Sequence, residues 1–150
     1  MKINHKQRAR ELFCAGYNCA QAVFTAFSDV TKMDEKEALR LSSSFGGGMG
    51  RLRETCGAVT GMFMVIGALK GYDDIIDKTV IAEHYQRVQN LAQRFKAKFD
   101  TICCRELLQG LQTTAGPVPT ERDAEFYKKR PCLIYVETAA EILDEFLAEQ

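Results

Sequence analysis

The longest apolar run of the sequence, from Cys56 to Leu69, restricts the fold more than any other segment. It is too short to span a bilayer, which takes about 20 residues. A helix that is apolar on every side is buried at the centre of a soluble protein. Gly57 and Gly61 lie four residues apart, so one helix face lacks side chains and lets a neighbour approach closely. This segment predicts a buried, glycine-containing central helix, and the same face could instead serve a homodimer.

The rest of the chain also has the periodicity and the end signals of helices. The clearest amphipathic helix is predicted at 78–99, with an apolar face formed by Ile81, Tyr85, Val88, Ala92, Phe95 and Phe99. No run of alternating apolar and polar residues predicts a strand, and no internal repeat is present. The prediction is one all-α domain over residues 1–150, a bundle of six or seven helices around the central helix. Its other helices are expected at about 3–15, 19–28, 35–44, 78–99, 103–110 and 121–129 and from Pro131 onward, with one long loop at 112–119.

Cysteines occur at four of the predicted helix starts. Each start has its own signal: Asn18 with Gln21 before Cys19, Thr55 before Cys56, Thr101 before Cys103 and Cys104, and Pro131 before Cys132. A helix N-terminus presents unpaired N–H groups and a partial positive charge, which lower the pKa of a thiol there. These positions therefore predict thiolates, the form that binds metals and attacks disulfides.

Cations near these cysteines favour the same ionised form. Arg53 precedes Cys56 by three residues, Arg105 follows Cys104, and the segment 128–130 leads into Cys132. The alternative is that the cations are solvated surface groups and the cysteines only fill the core. For Cys14, which follows Leu12 and Phe13, we expect core packing.

Three kinds of chemistry suit such cysteines. No Cys-x-x-Cys is present, so the thioredoxin-type motif and c-type haem attachment are both missing. Structural zinc usually takes ligands two to four residues apart, which these spacings do not supply well. Single cysteines from different helices could hold an iron–sulfur cluster, whose negative charge suits helix N-termini. They could also form disulfide pairs, with Cys103 or Cys104 as a resolving thiol.

The glycine cluster Gly46–Gly50 does not form a phosphate-binding P-loop, because no Lys-Ser/Thr follows and it joins two helices. We expect its backbone to turn sharply and pass close to the cysteines, with Arg51 and Arg53 facing them. A small anion held there by backbone N–H groups is an alternative. Of the two histidines, His84 is expected to be a hydrogen-bonded helix residue, and His5 lies near a terminus that is expected to fray, so hydrolytic catalysis has little support.

Charge and the first residues limit the partners and the compartment. Twenty basic and twenty acidic residues balance, and no basic tract is present, which argues against binding nucleic acid or membranes. Residues 1–8 are polar and lack the apolar segment of a secretory signal, so we expect a cytoplasmic protein. In that reducing compartment, cysteines serve more often as metal ligands or redox groups than as structural disulfides.

Four blocks of the sequence resemble the family of redox-active proteins named C_GCAxxG_C_C. Gly16–Val23 resembles its first cysteine block, Phe45–Gly50 with Cys56–Gly61 the central block, Cys104–Leu108 the third, and Cys132 with Val136, Ala139 and Ala140 the fourth. The blocks occur in the family's order and cover nearly the whole chain.

The resemblance implies a redox-active or metal-bearing role for Cys19, Cys56, Cys104 and Cys132, with Cys103 as an alternative to Cys104. Together with the helix-start positions, it favours an iron–sulfur cluster bound by these four cysteines for electron transfer. A metal-free thiol–disulfide oxidoreductase or redox sensor and a zinc-binding module stay open. The expected partner is a redox protein or a small redox molecule.

Overall fold

Nine α-helices and no strand form residues 2–150, the part of the chain that the computed structural model describes. The predicted all-α class is therefore confirmed, and Met1 of the polar N-terminal segment lies outside the described residues. The predicted second helix ends early and continues as a separate four-residue helix, which adds to the expected number. The helices are α1 His5–Cys14, α2 Cys19–Ala26, α3 Ser28–Thr31, α4 Glu35–Ser42, α5 Gly57–Lys70, α6 Lys78–Phe99, α7 Cys104–Leu107, α8 Ala124–Lys129 and α9 Cys132–Ala148.

Helix α5 packs on α2 through two of its three glycines, Gly57 and Gly61. A Cβ atom built on Gly61 would lie 2.8 Å from the Cβ of Val23, and one on Gly57 would lie 3.0 Å from the backbone nitrogen of Ala20. Neither distance leaves room for a side chain without movement. The two backbones can approach this closely only because α5 carries glycine at both positions, and the approach brings the starts of α2 and α5 together.

The long helix α6 contacts the core with a face rotated from the one that its periodicity predicted. The predicted face included Tyr85, which is 51% exposed. The buried residues are His84, Leu91 and Phe95. Apolar periodicity could not detect this rotation, because the buried position at the start of the helix is taken by a histidine.

Two predicted helix starts were wrong by a few residues. Thr120 was expected to cap the eighth helix, but the cap is Asp123, whose carboxylate accepts a 2.8 Å hydrogen bond from the Phe126 N–H. Thr55 was expected to cap α5, but Cys56 itself occupies the N-cap position. The chain direction at these points is fixed by packing and pairing with distant segments, which local capping preferences do not include.

A short backbone pairing joins the starts of α5 and α7. The Cys56 N–H donates to the Ile102 carbonyl at 2.7 Å, and the Cys104 N–H donates to the Glu54 carbonyl at 2.5 Å. These bonds align the segments 54–56 and 102–104 side by side. Two cysteine-bearing helix starts that are far apart in sequence are therefore adjacent in space.

Across residues 2–150, no helix is both long and apolar enough to cross a membrane.

Candidate functional site

A cavity of about 660 Å³ lies where four helix starts meet. It is lined by the four cysteines that the sequence singled out: Cys19 and Cys132 at the first positions of α2 and α9, Cys104 at the first position of α7, and Cys56 at the N-cap of α5. The structure thus brings the four side chains to one cavity from four different helices. Their role as ligands stays a prediction.

The two other cysteines are not among the residues that line the cavity. Cys103 is adjacent to Cys104, but its thiol lies 3.6 Å from the Arg53 carbonyl oxygen, to which it donates a hydrogen bond. Cys14 was expected in the core, yet it is exposed at the end of α1. The apolar neighbours of Cys14 lie on the other side of the helix, where Leu12 and Phe13 are buried.

Cys56 is buried at the N-cap of α5, where the backbone N–H groups of Ala58 and Val59 act to lower the pKa of its thiol. These are unpaired donors of the first turn of α5. Burial nevertheless raises the pKa of the Cys56 thiol to about 12, because desolvation outweighs the effect of these donors. The expectation of a lowered pKa at the helix starts was therefore wrong for the metal-free thiols of Cys56, Cys19 and Cys104, and it holds only for Cys132.

Cys19 and Cys132 interact directly through their side chains. This interaction with Cys19, together with the nearby Arg130 and Arg122, lowers the pKa of Cys132 to about 7 although burial opposes this. The same interaction, with burial, raises the pKa of Cys19 well above its ordinary value. Cys132 is therefore the member of the pair that ionises first.

The pKa of the Cys104 thiol is also raised, and two opposing influences act on it. Burial raises the pKa of its thiol, while the guanidinium of Arg53, with Nη1 3.9 Å from the sulfur, acts in the opposite direction. Arg105, which the sequence placed beside it, instead donates to the Leu52 carbonyl at 3.3 Å. The cation near Cys104 thus comes from the glycine-rich loop and not from its neighbour in sequence.

The glycine-rich loop passes close to the sulfurs, as the sequence suggested. A Cβ atom on Gly48 would lie 2.6 Å from the Cβ of Cys104, so only glycine fits there. The loop then continues in the left-handed region, with φ near +70° at Met49 and Arg51 and +61° at Arg53. Each such residue costs on the order of 1 kcal/mol of backbone strain, which tends to persist at functional sites.

Four arginines also line the cavity: Arg51, Arg53, Arg122 and Arg130. The sequence pointed to the first two and counted Arg130 among the cations before Cys132, but it missed Arg122. Arg122 lies in the region 111–123 between α7 and α8, and its guanidinium stacks over the Phe13 ring at 4.3 Å and donates to the Phe13 carbonyl at 2.7 Å. No local pattern distinguishes this arginine from a solvated one, because its position depends on α1.

Neither histidine lines the cavity. His5 donates Nδ1–H to Asp144 at 2.7 Å and Nε2–H to Asp29 at 2.9 Å. His84 is 8% exposed, and burial lowers its pKa. It was expected to be hydrogen-bonded, but its Nδ1 has no partner within residues 2–150. Both histidines have structural surroundings.

A single metal ion needs three or four donor atoms around one point. Among the side chains of residues 2–150, no three His, Cys, Asp or Glu residues form such a group.

The comparisons with known proteins agree with the cysteine blocks. Residues 17–146 match the model of a family described as "Putative redox-active protein (C_GCAxxG_C_C)". The match includes all four cysteines of the cavity and leaves out the exposed Cys14. Neither the curated proteins nor the solved structures contain a match to this chain.

Proposed function

The chain belongs to the C_GCAxxG_C_C family of redox-active proteins, and on that basis we propose that its cavity holds an iron–sulfur cluster for electron transfer. The observation that carries the proposal is that Cys19, Cys56, Cys104 and Cys132 line one cavity from four helix starts. When bound, such a cluster accepts and releases electrons one at a time. The partner is a redox protein or a small redox molecule, and a reducing compartment such as the cytoplasm keeps the thiols available.

The surroundings of the sulfurs suit anionic ligands. The backbone donors at Cys56 and the Arg53 guanidinium at Cys104 both stabilise sulfur in its negatively charged form. Cys56 has no use as a free thiol, because its pKa of about 12 keeps it protonated at neutral pH. A metal would deprotonate it outright. The glycine at position 48 leaves space beside the sulfurs that a Cβ atom would remove.

The test is a metal analysis with a visible spectrum on protein purified without air. We expect a coloured protein that contains iron and acid-labile sulfide. Serine variants of each of the four cavity cysteines should lose most of the iron, since a cluster with one ligand missing is weakly held. The matched controls are Cys14→Ser and Cys103→Ser, whose thiols lie outside the cavity and should retain it.

Colourless protein that takes up no iron on anaerobic reconstitution would count against the cluster. Stoichiometric zinc in the same samples, with loss of helix content on chelation, would support a zinc module instead.

A second candidate function is a reversible disulfide between Cys19 and Cys132, and the observation that favours it is the direct interaction of their side chains, which lowers the pKa of Cys132. In this mechanism the Cys132 thiolate attacks a disulfide of the oxidant and forms a mixed disulfide, releasing one thiolate. Cys19 then loses its proton and displaces the second thiolate. The oxidant gains two electrons, and the two cysteines lose them.

Metal-free protein distinguishes this candidate from the cluster. Treated with oxidised glutathione, the Cys103→Ser variant should lose the mass of two hydrogens and gain no glutathione, because Cys19 and Cys132 form a disulfide. The Cys19→Ser variant should not show this change. Cys132 should also react with iodoacetamide at pH 7 faster than Cys56, because about half of it is thiolate there. Equal slow labelling of both would exclude this candidate.

A further inference from the structure

The arginines of the cavity carry positive charge that the protein does not neutralise. No Asp or Glu lines the cavity in the described part of the chain. The guanidinium groups donate instead to neutral carbonyls: Arg51 and Arg53 to Thr114 at 3.0 and 3.2 Å, Arg130 to Gln112 at 3.1 Å and Arg122 to Phe13 at 2.7 Å. Four uncompensated cations around one concave surface create a strongly positive potential.

Three of these four arginines act to lower the pKa of a cavity cysteine, and the fourth does not. Arg53 acts on Cys104, while Arg122 and Arg130 act on Cys132. Arg51 is not among the main influences on the pKa of any of the four thiols. A negatively charged centre at the cysteines would therefore leave Arg51 without a counter-charge.

Arg51 also has an unused donor. Its Nη1 and Nη2 atoms bond the segment 114–120, with Nη1 donating to the Val118 carbonyl and Nη2 to the Thr114 hydroxyl at 2.8 Å. Its Nε atom is shielded from solvent and has no acceptor among residues 2–150, and the same is true of the Nε atom of Arg53. Burial, Arg53 and Arg130 lower the pKa of Arg51, the effect expected of cations without an anion between them.

The cavity is larger than a bare inorganic anion requires. Its volume is about 660 Å³, in the range of sites for small organic ligands. One part of its wall is apolar and is formed by Leu107, Leu108, Pro117, Pro119 and Phe126. A ligand with a charged end and an apolar body fits both parts of this surface.

We propose that the cavity binds a small organic molecule through an oxyanion group, with the guanidinium groups of Arg51 and Arg53 as its main donors and the apolar wall against its body. Guanidinium groups recognise phosphate and carboxylate oxygens through paired donors. The inference extends the proposed function, because it gives the chemical class of the small molecule that meets the cysteines. Binding itself requires no cluster.

Titration calorimetry at low ionic strength tests the site with two probes, inorganic phosphate and acetate. We expect saturable binding of one probe per chain to the wild-type protein. Arg51→Gln should weaken the affinity for the probe at least tenfold. Arg51→Lys keeps the charge but loses the guanidinium donors, so its affinity should lie between those of Arg51→Gln and the wild-type protein. The control is Arg105→Gln, an exposed arginine outside the cavity, which should stay within twofold of wild type. Whichever probe binds more tightly identifies the oxyanion.

The absence of saturable binding of either probe, or equal binding by the Arg51→Gln and wild-type proteins, would overturn the inference. Circular dichroism of each variant shows whether it has folded, and Arg130→Gln replaces Arg51→Gln if that variant has not. Iron and sulfide are measured in the same samples. Iron-free protein that binds phosphate refutes the cluster alone, whereas iron-loaded protein that binds neither probe refutes the oxyanion site alone.

Discussion

At the scale of single residues, the four cavity sulfurs differ because each meets a different balance of burial and hydrogen bonds. Cys132 is close to two arginines and interacts with Cys19, so its pKa falls to about 7. Cys56 is buried with only backbone N–H groups to oppose desolvation, and its pKa rises to about 12. One cavity therefore contains a thiol that ionises near neutral pH and a thiol that stays protonated there.

A buried histidine away from the cavity makes stability depend on pH. Burial and Arg87 lower the pKa of His84. The unfolded chain, with a pKa near 6.5, then binds the proton more readily than the folded chain, so stability is complete above about pH 6.5 and is lost below it. We expect a melting temperature that falls between about pH 7.5 and about pH 5.5, and a smaller fall in His84→Gln. An equal fall in both proteins would contradict this assignment.

Capping is the residue-scale feature that the sequence predicted best. The reciprocal bonds of Asn18 and Gln21 are present at 2.9 and 3.0 Å, and Asp34 caps α4. These contacts join residues three positions apart, so the local sequence contains all that determines them. The pKa values of the cysteines could not be predicted in this way, because burial comes from helices that are distant in the chain.

At the scale of elements, the contact between α2 and α5 decides where the cysteines meet. A Cβ atom on Gly57 would lie 3.1 Å from the Cβ of Cys19, so the start of α5 rests directly on the start of α2. The spacing of the two glycines in α5 indicated a close neighbour, although nothing in the sequence specified which helix it is. The identity of a packing partner depends on the path of the whole chain.

Two glycines of α5 provide a matched test of this contact. We expect Gly61→Ala to lower the free energy of unfolding by about 1–3 kcal/mol, because its methyl group would overlap Val23. Gly67→Ala should raise it by about 0.5–1 kcal/mol, since a Cβ atom there meets nothing within 4 Å and alanine favours the helix. Urea unfolding followed by circular dichroism measures both. Equal effects of the two substitutions would show that α2 and α5 do not pack closely.

At the scale of the whole molecule, the first and last helices hold the chain ends together. His5 begins α1, stacks on the Phe27 ring at 4.0 Å and bonds Asp144 of α9. Each of its two ring nitrogens lies within hydrogen-bond distance of a carboxylate oxygen. This buried group connects segments 139 residues apart.

Substitutions at two adjacent residues of α1 compare a buried contact between α1 and α9 with an exposed one. We expect His5→Asn to lower the free energy of unfolding by about 2–4 kcal/mol, since it leaves two carboxylates without their shared donor. Lys6→Ala also removes an ion pair with α9, the 2.9 Å contact with Glu141, but this pair is exposed to solvent and its loss should have a much smaller effect. Chemical unfolding of both variants tests the difference, and a larger effect of Lys6→Ala would contradict it.

The spread of the cavity cysteines along the chain has a consequence for biosynthesis. Cys19 is translated early, and Cys132 follows 113 residues later. A nascent chain therefore lacks one of the four donors until Cys132 has been synthesised. Any cofactor that needs all four sulfurs can be completed only after that point.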